Sequence, residues 1–298
     1  MCGIVGLFLK DKALEPQLGA LLSDMLITMT DRGPDSAGIA IYGASEAGSG
    51  KITVQSADPA ADFKSLKAAL AKKLGVAVSV TIRATHAVIA VECGKLDAAR
   101  TALKELRPGI TVMGSGESVE IYKEVGLPKD VAARFKIGAM GGTHGIGHTR
   151  MATESAVTTF GAHPFSTGPD QCLVHNGSLS NHNNLRRELV RNGLRFETEN
   201  DTEVAAAYLS HKLATGSNLG AALESGLSDL DGFYTFVVGT KSGFGVLRDP
   251  IACKPAVMAE TDGYVAFGSE YRALVNLPGI EAARVWEPEP ATVYFWEH

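Results

Sequence analysis

The chain has 298 residues, with 28 Lys and Arg against 33 Asp and Glu and a formal net charge of −5. The basic residues are scattered rather than massed in one stretch, which argues against nucleic acid or an anionic membrane surface as partner. No apolar run approaches the roughly 20 residues of a membrane span, no secretory leader pattern opens the chain, and Cys2, Cys93, Cys172 and Cys253 form no CxxC pair, so a cytoplasmic, reducing setting is expected.

In chain order, residues 2–9 ("CGIVGLFL") read as a buried strand because the apolar run has no polar break. "EPQLGALLSDMLITM" follows with Leu18, Leu21, Leu22, Met25, Leu26 and Met29 near the i, i+3, i+4, i+7 spacing of a helix face. "DRGPDSAG" (31–38) turns through Gly33-Pro34-Asp35, and "IAIYG" is a short strand. From about 51 to 137 lysine and alanine rise, and helical stretches ("FKSLKAALAKKLG", "KLDAARTALKEL") flank strand-like ones ("HAVIAVE", "GITVMGS"). This block is expected as an inserted α/β subdomain. Its glycine clusters, "GSGESV" and "GAMGG", lack the strand–G-x-G-x-x-G–helix context of a nucleotide site.

Residues 145–204 alternate short strands ("GIGHTR", "CLVHNG") with polar loops. A helix, "NNLRRELVRNG", ends at Gly193, and another starts near Asp201 or Thr202 as N-cap. The remainder, including "GFYTFVVGTKSGFGVLRDP" and "ATVYFWEH", reads as antiparallel strands joined by glycine-rich turns. Strands and helices in separate blocks make an α+β chain, with sheets layered between helices.

Cys2 alone could be a small buried hydrophobe. Removal of the initiator methionine would give it both a thiol and a free α-amine, and an amine with a reference pKa of roughly 7.7–8.0 can take the thiol proton without a histidine. A thiolate attacking an amide then needs donors for the oxyanion. "VHNG" offers the Asn176 amide and the Gly177 N–H, although Asn-Gly is also a common hairpin turn. Arg150 suits a carboxylate bidentately, and Asp201 could pair with an ammonium; the alternatives are a surface ion pair and a helix cap. His144 and His148 lie in a strand-like context and make no metal pair, so no metal site is expected. His175 is expected to pack beside its strand, His163 and His182 to sit in loops, and Cys93, Cys172 and Cys253 to be inert core thiols.

"MCGIVG", "RGPDSAG", "GIGHTRMAT", "HPF", "VHNG" and "ENDTEV", in this order, resemble the class II glutamine amidotransferases, the N-terminal-nucleophile glutaminases. "RDPIACKP" and "FGSE" resemble their later strands. "SVEIYKEVGLPKDVAARFKI" is similar to the inserted region of glutaminase domains of glutamate synthases, including stand-alone subunits of the N-methylglutamate synthase type.

The resemblance implies an Ntn-hydrolase α/β/β/α four-layer sandwich over 2–298 with 51–137 inserted. It implies Cys2 as nucleophile, Asn176 and Gly177 as the oxyanion hole, and Arg150, Thr153 and Asp201 as the glutamine-binding residues, with Arg32 supporting the terminus. Met151 and Glu154 replace an aromatic and a histidine of the sugar-phosphate branch, and the longer 51–137 block argues against a hexosamine-forming enzyme. No cofactor is expected in this chain. Ammonia would go to a separate synthase-like subunit carrying FMN and iron–sulfur centres, in a hetero-oligomer. The rival readings are a regulatory or assembly subunit that binds glutamine without turnover, and another Ntn-type amidase.

Overall fold

The computed structural model describes residues 2–152 and 157–298. From the N-terminus its elements are β1 (Gly3–Leu9), α1 (Leu18–Ile27), β2 (Ser36–Tyr42), β3 (Ser49–Ser56), α2 (Pro59–Asp62), α3 (Leu66–Leu74), β4 (Ser79–Arg83), β5 (His86–Glu92), α4 (Leu96–Leu106), β6 (Ile110–Gly116), β7 (Val119–Val125), α5 (Pro128–Phe135) and β8 (His144–Arg150). They continue as β9 (Phe165–Gly168), β10 (Gln171–Leu179), α6 (His182–Arg191), α7 (Asp201–Ala214), α8 (Leu219–Asp229), β11 (Gly232–Gly239), β12 (Gly243–Arg248), β13 (Val257–Glu260), β14 (Tyr264–Gly268), β15 (Arg284–Trp286) and β16 (Thr292–Glu297).

The strands form a seven-stranded sheet in the order β15-β13-β14-β1-β8-β2-β7 and a five-stranded sheet in the order β16-β12-β11-β10-β9. Alternation along each strand sorts its side chains between two layers. Ile4 and Phe8 of β1, Ala40 and Tyr42 of β2, Val119 and Ile121 of β7, and Ile146 of β8 share one apolar cluster with Cys172, Val174, Val237, Phe244 and Val246 of the other sheet. That cluster is the layer between the sheets. Val5, Leu7 and Leu9 point the other way, against Leu18, Leu22, Met25 and Leu26 of α1 and Phe135 of α5. The outer face of the five-stranded sheet is covered by α6, α7 and α8. The result is the four-layer α/β/β/α sandwich, and β1 is buried on both faces because it lies inside it.

The stretch 51–137 divides between two bodies. β3 to β6 form a separate four-stranded sheet in the order β4-β5-β3-β6, with α3 and α4 packed on one face. Helices between the first and last pairs of strands make this the split β-α-β-β-α-β arrangement. The strand β7, however, pairs with β2 along its whole length in the seven-stranded sheet, and α5 packs beneath that sheet. The two bodies meet at β7, where the Thr53 hydroxyl accepts from the Ile121 N–H at 3.3 Å and Lys51 pairs with Glu120 at 2.9 Å.

Candidate active site

At one end of the sandwich the layer between the sheets changes from apolar to polar. Beyond Ile4, Ala40, Ile121 and Ile146, the same faces carry Cys2, then Gly38 and Ser36, then Lys123, then His148 and Arg150. Beyond Val174 and Val237, the facing sheet carries Asn176 and Thr235, which pair with each other in register. Several of these buried polar atoms have no hydrogen-bond partner among the described residues: Ser36 Oγ, Thr235 Oγ1, His148 Nδ1 and the amide nitrogen of Asn176, a residue only 4 % exposed. Buried polar groups are nearly always satisfied, so such a cluster marks a place built for a polar ligand.

The terminus is tied down from behind. Arg32 Nε donates to the Cys2 carbonyl at 2.9 Å, and Arg32 Nη1 donates to Glu270 at 2.6 Å. The Ser269 hydroxyl accepts from the Ile4 N–H at 2.9 Å, and the Ser269 N–H returns a bond of 2.9 Å to the Ile4 carbonyl. The hydrogen bond from Arg32, with Arg272 adding to it, holds the Glu270 carboxyl below its ordinary range.

Asn176 and Gly177 make no turn. β10 runs straight through them against β11, with Gly177 opposite Tyr234 at φ +150°. A Cβ at Gly177 would lie 1.9 Å from the Phe233 carbonyl oxygen, so only glycine fits. Arg150 ends β8 and is buried, which removes the surface ion-pair alternative. Asp201 opens α7, but the cap is its neighbour, since Asn200 accepts from the Thr202 N–H at 2.8 Å. Asp201 Oδ2 instead accepts from the Leu179 N–H at 3.0 Å, and Oδ1 stands 3.6 Å from His175 Nδ1. Burial alone would raise this carboxyl, but His175 and the Leu179 N–H outweigh it and bring it down to about 2. Thr153 and Glu154 lie outside the described residues.

A glutamine amidotransferase domain model matches residues 148–276. The "Glutamine amidotransferase-like protein GlxB" of Rhizobium meliloti (strain 1021) is 72 % identical over 298 residues, covering 100 % of this chain and 99 % of that protein. The chain belongs to the glutamine amidotransferase family. A glutamine–fructose-6-phosphate aminotransferase of Idiomarina loihiensis is 35 % identical over 130 residues, which is 44 % of this chain and 21 % of that enzyme. The solved glutamine phosphoribosylpyrophosphate amidotransferase of B. subtilis superposes with a TM-score of 0.63 at 19 % identity. It covers 99 % of this chain and 47 % of its own, so the chain spans about half the length of that structure. The shared fold is the class II, Ntn-hydrolase sandwich.

Within this family frame, the matched stretch takes in Arg150, Asn176, Gly177, Asp201 and Glu270, while Cys2 and Arg32 lie outside it. Expectations for other residues fail at Cys93, which is only partly buried rather than a core thiol, at His182, which opens α6 rather than sitting in a loop, and at two further positions. Cys253 is exposed rather than a core thiol, because the 249–256 loop leaves the sheet. His163 is not a locally bonded loop residue: it is buried against β8, β10 and α7. Lys123, buried at the same end, carried no sequence signal beyond one charge in an alternating strand, and Glu270 none beyond "FGSE". Among the described residues, no group of three or more His, Cys, Asp or Glu is placed to hold a metal ion, and no helix is long and apolar enough to cross a membrane.

Proposed function

We propose that this chain is a glutaminase subunit that hydrolyses L-glutamine to L-glutamate and ammonia through a γ-glutamyl thioester at Cys2. The observation that carries the reading is the polar end of the inter-sheet layer, where the Asn176 amide, buried and without a partner among the described residues, lies across from the strand that Cys2 precedes. With Met1 removed, the α-amine of Cys2 takes the thiol proton as sulfur attacks the side-chain amide carbon. The developing oxyanion is met by the Asn176 side-chain N–H and the Gly177 backbone N–H. Collapse expels ammonia, which leaves with the proton from the amine, and water then hydrolyses the thioester to glutamate and regenerates the thiol.

Arg150 and Thr153 hold the substrate α-carboxylate, and Asp201, ionised across the physiological range, holds the α-ammonium. A substrate that is not a zwitterion would leave both charges uncompensated, which disfavours another amidase class. The ammonia passes to a separate cytoplasmic synthase-like subunit of the glutamate synthase or N-methylglutamate synthase type. Intact mass before and after the diazoketone analogue of glutamine tests the site. Loss of Met1 and a single adduct on Cys2 is the expected result; an unprocessed, unlabelled chain would refute it. Co-purification of an FMN and iron–sulfur synthase with this chain tests the partner.

A further inference from the structure

Lys123 lies in the interior, 3 % exposed, on the gap-facing side of β7, and burial pushes its amine down to about 7, with Glu203 and Glu197 opposing the shift. Its Nζ donates to the carbonyl oxygens of Phe160 at 3.2 Å, Ala162 at 2.8 Å and Pro164 at 3.2 Å, and sits 4.5 Å from the Phe165 ring centroid. An ammonium has three donors, and here all three go to alternate carbonyls of one arch. That arch belongs to the connection leaving Arg150. It is pressed so close to the sheet that a Cβ at Gly38 would lie 1.9 Å from the His163 carbonyl oxygen.

The arch carries His163, whose ring reaches three other elements. It stacks on the His148 ring with centroids 4.0 Å apart. Its Nδ1 accepts from the His175 N–H at 3.4 Å, which leaves the proton on Nε2, 3.3 Å from Thr202 Oγ1. Burial pushes this ring well below its ordinary value, with His148, His175, Lys123 and Arg150 nearby adding to the effect, so it stays neutral and keeps that tautomer. His148 stands two residues before Arg150, His175 immediately before Asn176, and Thr202 immediately after Asp201. One ring therefore touches a residue within two positions of Arg150, of Asn176 and Gly177, and of Asp201.

We propose that Lys123 and His163 are positioning residues of that site, the ammonium fixing the 160–164 arch and the arch holding the imidazole as a keystone that keeps Arg150, Asn176 and Asp201 in mutual register. This rests on the glutaminase reading above for what the site binds, but not for the geometry. Neither side chain touches substrate. Both act through the backbone segments they lock.

The test uses the full chain with two variants. Lys123→Met keeps the length of the side chain and removes the donors; His163→Gln keeps the ammonium and removes the ring. Hydrogen exchange read by mass spectrometry should be at least tenfold faster at 148–150, 174–179 and 200–204 in both. Exchange at 160–165 should rise only in Lys123→Met, with β3 to β5 unchanged. Diazoketone labelling of Cys2 should slow at least tenfold while iodoacetamide alkylation of Cys2, resolved by peptide, stays within twofold of wild type. A merely structural role would slow both reagents alike or neither. Exchange equal to wild type at the three segments, or equal slowing of the two reagents, would overturn the proposal. Should Lys123→Met fail to fold, His163→Gln carries the same comparison. A wild-type Cys2 that takes no diazoketone would sink the glutaminase reading, and the exchange rates would still decide the positioning role.

Discussion

Arg32 Nε donates to the carbonyl oxygen of Cys2 at 2.9 Å, fixing the residue that precedes the buried strand β1 from behind. The guanidinium is itself held by Glu270 at 2.6 Å, and Glu270 by Arg272 Nε at 2.8 Å, so the terminus is anchored through a short charged relay to the segment after β14. A hydrogen bond to a charged group contributes about 1.5–3 kcal/mol. Arg32→Met should therefore lower kcat for glutamine hydrolysis by about one to two orders of magnitude through a misplaced nucleophile. Steady-state kinetics alongside thermal unfolding checks it; a loss of melting temperature with unchanged kcat would assign Arg32 to folding instead. The acid behaviour has a definite sign. The Glu270 carboxyl is depressed in the folded protein, so its contribution is present above the ordinary carboxylate range and lost as pH falls through its lower folded value.

Asn176 and its neighbour separate chemistry from folding. Asn176→Ala removes a donor that no group in the described protein uses. Loss of one oxyanion donor costs about 2.7–4 kcal/mol of barrier, so kcat should fall about 100- to 1,000-fold with the melting temperature nearly unchanged. Gly177→Ala would instead force a Cβ to within 1.9 Å of the Phe233 carbonyl oxygen at φ +150°. Such a residue should destabilise the β10–β11 pairing by several kcal/mol, read as a depressed melting temperature. If Gly177→Ala folds normally and only kcat drops, the steric account is wrong.

The elements legible in the sequence were those decided locally. β1 is a continuous apolar run because both its faces are buried, and α1 shows its core stripe at helical spacing. What the sequence could not display was decided by partners far along the chain. "VEIYKEV" lies in a lysine-rich block and reads with it, yet β2, some eighty residues earlier, captures it as an edge of the main sheet. Lys123 within it has no local signal of its burial, which the carbonyls of 160, 162 and 164 make possible by accepting from its amine. Asn176-Gly177 has the local preference of a hairpin turn, which cross-strand pairing with Thr235 and Tyr234 overrides. The cap of α7 is Asn200 rather than Asp201 or Thr202: Asn200 and Asp201 are both good caps, and only the tertiary bond to the Leu179 N–H decides which is diverted.

Asp201 should act on affinity rather than turnover. Asp201→Asn retains an oxygen to accept from the Leu179 N–H but loses the charge that meets the substrate ammonium. Truncating one side of a buried charged pair costs about 2–5 kcal/mol, so KM for glutamine should rise at least about 30-fold with a smaller change in kcat. Because the carboxyl sits at about 2, glutamine affinity should show no inflection from this group between pH 4 and 9, windows set by that value and the reference of about 3.9. An affinity that titrates near pH 4 would show that Asp201 is not the group so held.

The buried histidines set the acid limit of the fold. His86, His144 and His148 are each fully buried, and burial pushes each ring down to about 3. For a base lowered in the folded state, the unfolded chain takes up the proton first. The stability is full above the unfolded value of about 6.5 and is lost as pH falls from there toward about 3. At pH 5 each ring costs about 2 kcal/mol on that basis, and three together approach the whole stability of an ordinary domain. The chain should therefore unfold cooperatively between about pH 6 and 4, with proton uptake near three per molecule from these rings. His86 gives the cleanest test, since it lies in the β3–β6 sheet, packs edge-on against Phe135 at 4.6 Å, and has an Nε2 without a partner among the described residues. His86→Phe should reduce the slope of stability against pH by about one proton and raise stability at pH 5 by about 2 kcal/mol. Denaturant titrations at pH 5 and pH 8 measure both quantities, and a slope unchanged by the substitution would show that His86 is already protonated in the folded protein.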